Sequence, residues 1–161
     1  MMIFCLVGTN PYSFTRLVSY VDETLGPKYN VTIQLGNTSY SPKYSNFFKF
    51  RKRSDILNLI NKSDIVITQG GFGSMNDALS CNKNLIAVPR LIELNESQDD
   101  QKELVEYYNS KNFLVACYDV SEIDLIINQF KNNQIFLKKY EPESKLKVKD
   151  LIESFLNDNQ L

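Results

Sequence analysis

Short apolar runs rich in β-branched residues alternate along this chain with segments whose apolar positions recur every three to four residues. Met2–Val7, Val31–Leu35, Phe47–Phe50, Ile65–Thr68, Leu85–Val88 and Leu114–Cys117 read as strands. Between the first two, Phe14, Leu17, Val18, Val21 and Leu25 mark one face of a helix that Gly26-Pro27 stops. Ile56, Leu57, Leu59 and Ile60 mark a second helix and Ser74–Cys81 a third. A polar loop through Asn95 and Ser97 leads into a fourth, from Gln98 to Ser110. Ser121-x-x-Asp124 resembles a capping box opening Ile123–Phe130, with aspartate where glutamate or glutamine is usual. Lys131–Glu143 reads as loop. Leu146, Val148, Leu151, Ile152 and Phe155 give a last amphipathic helix over 144–157.

Strands alternating with crossover helices imply a parallel sheet covered on both faces. The predicted fold is α/β: a Rossmann-like doubly wound parallel sheet of about six strands, forming one domain over residues 1–161. Ligands of such sheets sit at the carboxyl ends of the strands, near the point where the strand order reverses. Met2–Val7 and Ile65–Thr68 are expected to flank that point. The turns after them, Gly8-Thr9-Asn10 and Gln69–Gly73, then converge on one pocket.

Ile65-Val-Ile-Thr-Gln-Gly-Gly-Phe-Gly-Ser-Met-Asn-Asp77 carries the chemistry. A strand that feeds a glycine-rich turn opening a helix aims backbone N–H groups at one spot. The helix dipole adds partial positive charge there, so a phosphate is the natural guest. Asp77, one turn into the helix, is placed to accept hydrogen bonds from a ribose. The pattern is neither the G-x-G-x-x-G of a dinucleotide fold nor a Walker loop. A plain alternative is a tight turn whose glycines only let the helix pack close to the sheet.

Composition narrows the classes. A net charge of −1 argues against a dedicated nucleic-acid binder, and the cluster Lys49, Arg51, Lys52, Arg53 reads first as a solvated face. Three scattered cysteines, Cys5, Cys81 and Cys117, fit buried free thiols of a reducing compartment. The chain has no histidine, which excludes any imidazole acid–base step or His-based metal site within it. No signal peptide or apolar run of membrane-spanning length is visible, so a cytoplasmic location is expected.

At several of these positions the chain resembles the C-terminal, donor-nucleotide domain of glycosyltransferase family 28. The resemblance runs through Val7–Leu17, Gln34–Tyr40, Asp64–Asp77, Leu85-Ile-Ala-Val-Pro-Arg90 and Asn95–Gln101 into Leu104. More narrowly, it points to the small donor-binding subunits of two-part transferases of bacterial capsule and exopolysaccharide assembly, with a eukaryotic relative in N-glycan synthesis. The implied fold is the donor half of a GT-B enzyme. By resemblance, Gly8 and Thr9 approach the diphosphate, while Gly70, Gly71, Gly73 and Ser74 complete its cradle beside Gln69. Asp77 holds the ribose hydroxyls and Gln101 contacts the donor sugar. Arg90 is a pocket-rim residue, and the base lies near Phe50 and Arg51. Each position also has a structural alternative: Ser74 as a helix cap, Asp77 as a solvated first-turn acid, Gln101 as an ordinary surface residue, and Arg90 as the partner of Glu93.

This sequence departs from the family pattern at three positions. The family often has histidine where this chain has Gln69, and again at Asp100; Asp77 stands where glutamate is usual. Donor affinity or choice is expected to differ accordingly. The resemblance implies a UDP-sugar-binding subunit of a heteromeric hexosyltransferase acting on a lipid-linked glycan. It needs no metal, and a membrane-anchored acceptor subunit recruits it to the inner face of the membrane. Alone, the chain is expected to transfer little or no sugar; its oligomeric state is left open, since an exposed partner-binding face could also self-associate. The alternative is a non-catalytic nucleotide-binding or scaffolding module of the same fold.

Overall fold

A computed structural model describes residues 1–141; the helix expected over 144–157 lies outside the described residues. Six parallel strands form one sheet in the order β3-β2-β1-β4-β5-β6. They are β1 (Met2–Leu6), β2 (Asn30–Gln34), β3 (Asn46–Phe48), β4 (Ile65–Gln69), β5 (Asn84–Val88) and β6 (Val115–Ala116). Each pair is parallel, with Cys5 opposite both Ile33 and Ile67 at the centre. The winding reverses between β1 and β4, which places the switch point where the alternation of strand and helix predicted it.

The period of two along each strand splits the core into two layers. Ile3, Cys5 and Val7 face one side with α1 (Thr15–Tyr20) and α5 (Ile123–Lys131). Phe4 and Leu6 face the other, with α2 (Arg53–Lys62), α3 (Phe72–Ser80) and α4 (Lys102–Ser110). Cys5 and Cys117 are buried and Cys81 is half-buried, all as free thiols. Burial pushes the Cys5 and Cys117 thiols up to about 12.

The element ends differ from the periodicity in instructive ways. The expected strand Phe47–Phe50 is shorter, yet Leu35 N and Gly36 N still donate to the carbonyls of Phe48 and Lys49 at 2.8 and 3.1 Å. α3 begins two residues early, at Phe72, because Gly71 takes the N-cap position in extended conformation. α4 begins late, at Lys102, after the loop that carries Glu96 and Gln101. The capping-box pattern at Ser121 does not form. Asp119 Oδ1 instead accepts from Ser121 N at 2.9 Å and opens a short 3₁₀ turn before α5. The expected loop after α5 is seen as far as Glu141.

Past Tyr20 the first helix widens to a π form over Val21–Leu25, with Gly26 N shared between the carbonyls of Val21 and Asp22 at 3.1 Å each. This turn carries a fully buried carboxylate, Asp22. It accepts from the backbone N–H groups of Lys43, Tyr44 and Ser45 at 2.8, 3.0 and 2.9 Å, and from the Tyr40 hydroxyl at 3.2 Å. Asp22 therefore fixes the loop that delivers β3 and, beyond it, the Arg51–Arg53 segment. Burial works against its ionisation, but these donors outweigh it and hold its pKa below the ordinary value.

Asp22→Ala is expected to cost about 3 kcal/mol at neutral pH, because three part-buried N–H groups lose a charged acceptor. The contribution of Asp22 is complete above the unfolded carboxylate value and is lost as pH falls through the lower folded value. Urea midpoints at pH 7 and pH 3 should therefore differ less in the variant than in the wild-type chain.

Candidate functional site

At the carboxyl ends of β1 and β4 the two turns enclose an open cleft of about 450 Å³. Gly8 turns the chain out of β1 with φ +71°, a conformation side chains rarely adopt. A Cβ there would stand 2.2 Å from Gln69 Nε2, so the position also needs the space. The Asn37 amide holds the next residues, donating to Asn10 O at 3.0 Å. Across the cleft, α3 starts at Phe72 with its first N–H groups free of intrahelical partners, as at the start of any helix, and Phe72, Gly73 and Ser74 line the cleft. Ser74 is no cap: its hydroxyl lies opposite Gly8, 3.1 Å from where a Gly8 Cβ would stand.

Gln69 ends β4 and is only 7% exposed. Its Oε1 accepts from Arg90 Nε, which leaves its NH₂ toward Gly8 and Gly71. Gln101, just before α4 and 9% exposed, accepts at Oε1 from Arg90 N at 3.1 Å. Its Nε2 lies 3.7 Å from where a Gly71 Cβ would stand, on the same side of the cleft.

Arg90 is not the rim residue its place at a strand end suggested. It is 1% exposed and lies beneath the cleft. Besides Gln69, its guanidinium donates to the carbonyls of Val7, Tyr12, Ser13 and Glu96 at 3.1, 3.0, 3.3 and 2.9 Å. It also sits 4.5 Å over the Phe14 ring. Burial pulls its pKa down to about 10, with Glu96 opposing, so it stays charged at neutral pH. Glu93 pairs instead with Lys102 at 3.4 Å. The Glu96 carboxylate binds Arg16 at 2.9 Å and Leu91 N at 2.9 Å.

The far wall is made by α3 and the start of α2. Asp77 faces the cleft and pairs with Arg53 through both carboxylate oxygens. Arg51 also lines it, with its guanidinium 4.3 Å over the Phe48 ring. The basic cluster thus divides: Arg51 and Arg53 line the cleft, whereas Lys49 and Lys52 do not. Of the ten residues singled out from the sequence, eight line the cleft: Gly8, Thr9, Gln69, Gly71, Gly73, Ser74, Asp77 and Gln101. Gly70 does not, because its α-carbon is pressed against α4; a Cβ would meet Val105 Cγ2 at 2.7 Å. Phe50 does not line it either. Asp100 lies outside it, beside Glu103 and Tyr107, where its Oδ1 accepts from Lys102 N at 2.8 Å. Asn10, Gln34 and Arg53 are the polar additions; Asn10 lay in the predicted Gly8-Thr9-Asn10 turn, Gln34 opened a segment of the family resemblance, and Arg53 belonged to the basic run. Among the described residues no group of histidine, cysteine, aspartate or glutamate side chains is arranged to hold a metal.

Fold and cleft define a doubly wound α/β domain with a switch-point site lined by hydrogen-bond donors. Comparison with known proteins narrows this. Residues 2–155 match the glycosyltransferase family 28 C-terminal domain, and the chain belongs to that family. It is 26% identical over 151 residues to the UDP-N-acetylglucosamine--N-acetylmuramyl-(pentapeptide) pyrophosphoryl-undecaprenol N-acetylglucosamine transferase of Streptococcus pneumoniae serotype 19F (strain G54). That match covers 92% of this chain and 42% of the relative, so the chain spans about two fifths of the relative's length. The NMR structure of ALG13 superposes with TM-score 0.57 at 16% identity, covering 93% of both chains. Acinetobacter baumannii MurG gives TM-score 0.54 at 14% identity, covering 96% of this chain and 52% of the other. The Rossmann-like sheet is thus the one found in GT-B glycosyltransferases. No described helix is long and apolar enough to cross a membrane.

Gly73 allows a direct test of what the cradle is for. A Cβ there meets nothing within 4 Å, and its φ is not in the left-handed region. Gly73→Ala should therefore stabilise α3 by up to about 1 kcal/mol. It should also weaken any ligand that closes on that turn. A raised thermal midpoint together with weaker UDP binding is the expected pair of results, measured by calorimetry.

Proposed function

We propose that this chain is the donor half of a glycosyltransferase, binding a UDP-sugar in the switch-point cleft and stabilising the departing UDP. The carrying observation is the convergence of α3's first N–H groups, the Gly8 turn and two nearly buried carboxamides on one space, with Asp77 and Arg53 on its far wall. A diphosphate fits the donors, and the Asp77 carboxylate can accept from ribose hydroxyls. The family match and the activity for which the pneumococcal relative is named support a UDP-linked sugar.

In the reaction, an acceptor hydroxyl oxygen bonds to the anomeric carbon as the bond from that carbon to the diphosphate oxygen breaks. The electron pair passes to UDP, where preorganised N–H donors stabilise it best in a site shielded from water. The hydroxyl proton goes to a base that this half does not provide. The acceptor site belongs to a second polypeptide, membrane-anchored and holding a lipid-linked glycan, which draws this chain to the inner face of the membrane. Surface polysaccharide assembly is the setting that reading favours. No metal is required, because the N–H donors and Arg53 meet the leaving-group charge.

UDP should bind with a Kd between micromolar and millimolar, roughly −8 to −4 kcal/mol, with ADP and NAD weaker. Asp77→Ala should weaken UDP about tenfold, or ~1.4 kcal/mol, and leave the fold intact because Arg53 is already well exposed. Transfer should appear only when an acceptor-half polypeptide is added. Robust transfer by the purified chain alone would defeat the two-polypeptide reading. UDP binding without transfer under any pairing would favour a non-catalytic nucleotide-binding module.

A further inference from the structure

Arg90 makes contacts that the donor-half reading does not itself require, and they decide the polarity of the cleft. A guanidinium and a backbone N–H are donors only, so whatever faces them must accept. Gln69 meets Arg90 Nε and Gln101 meets Arg90 N. Both amides must therefore turn their oxygens toward Arg90 and their NH₂ groups away from it, so the donor chemistry of Arg90 fixes which end of each amide faces the cleft. The two NH₂ groups then flank Gly71: Gln69 Nε2 stands 3.0 Å, and Gln101 Nε2 3.7 Å, from where a Gly71 Cβ would be. Both side chains are more than nine-tenths buried and both line the cleft, and the hydrogen bonds found for them involve only their oxygens.

We infer that Arg90 is a positioning residue. Through one side-chain and one main-chain N–H it locks Gln69 and Gln101 as a pair of inward NH₂ donors for two acceptor oxygens of one ligand, at the junction of diphosphate and sugar. The inference rests on the donor-half reading and adds the element that orients the site. It also accounts for Gln69 working without a charge of its own. The cation lies one amide behind it, out of water, and polarises the carboxamide through the Arg90–Oε1 hydrogen bond. A carboxylate at position 69 would instead pair with Arg90 and present no N–H to the ligand.

The test is side-chain amide NMR on the intact ¹⁵N-labelled chain, titrated with UDP and with uridine, together with Gln69→Glu. UDP should shift both glutamine NH₂ pairs, and uridine, which lacks the diphosphate, should leave the Gln69 pair in place. Gln69→Glu should keep or raise the thermal midpoint, by ion pairing with Arg90, while UDP affinity falls at least tenfold. Arg90→Lys keeps the charge but not the fork. If it folds, it should broaden or split the Gln69 NH₂ signals in the free protein. UDP binding that moves neither NH₂ pair, or unchanged UDP affinity in Gln69→Glu, overturns the inference and leaves the donor-half reading standing. No UDP binding by the wild-type chain overturns both.

Discussion

A guanidinium taken almost wholly out of water is the constraint on which this structure turns. Burying a charge without a counter-charge in contact is expensive unless its hydrogen bonds are met. Arg90 meets them with neutral oxygens drawn from four stretches of chain: Val7 at the end of β1, Tyr12 and Ser13 before α1, Gln69 at the end of β4, and Glu96 before α4. Apart from Gln69, which closes the β4 ladder, the residues that Arg90 touches lie outside every strand and helix. One side chain thus substitutes for secondary structure across the whole loop layer above the sheet. Glu96 closes the arrangement from the other side, with its backbone carbonyl on Arg90 and its carboxylate on Arg16 and Leu91 N.

The chemical character of the cleft follows from that choice of partners. Every carbonyl that Arg90 engages is an acceptor removed from the loop layer, and every amide it orients presents a donor. Neutral NH₂ groups, helix N–H groups and the hydroxyl of Ser74 therefore surround a space whose carboxylate, Asp77, is already held by Arg53. Such a surface suits an anion and a set of hydroxyls together, which is the mixture a nucleoside diphosphate sugar presents. A histidine at position 69 could add charge at the end of β4; here that position carries a neutral amide whose oxygen is held by the buried cation of Arg90.

The sheet and its switch point were legible because a doubly covered parallel sheet demands continuous apolar runs, and those are visible in one dimension. The glycine turn after Ile65–Thr68 was legible for a similar reason, since few residues other than glycine tolerate such close approach. Arg90 was not. A charged residue after Val-Pro at a strand end reads as exposed, and no spacing reports that carbonyls from residues 7, 12, 13 and 96 will meet there. Helix ends were also obscured. Asn82, Asn112 and Asn133 take the left-handed position after α3, α4 and α5 that glycine usually fills, with φ of 50°, 62° and 53°. After α4 and α5 the paired bonds from Phe113 N to Tyr108 O and from Gln134 N to Gln129 O complete the motif. Asparagine is common enough in this chain to hide those stops.

A net charge of −1 does not by itself mark a chain that holds an anion. Its distribution explains why that figure misleads. Between Glu23 and Asp55 there are six basic residues, Lys28, Lys43, Lys49, Arg51, Lys52 and Arg53, and no acid. The fold gathers the end of this stretch at one wall of the cleft, because Asp22 pins residues 43–45 and so sets the path of the chain into β3 and α2. Potential at a cleft mouth depends on charges within about a Debye length, roughly 8 Å at physiological salt, and not on the sum over the molecule. A phosphate-bearing ligand approaching over β3 therefore meets a positive wall before it meets the buried amides. On the donor-half reading the two layers would act in sequence, exposed cations raising the local concentration of the anion and the uncharged donors held by Arg90 selecting its geometry.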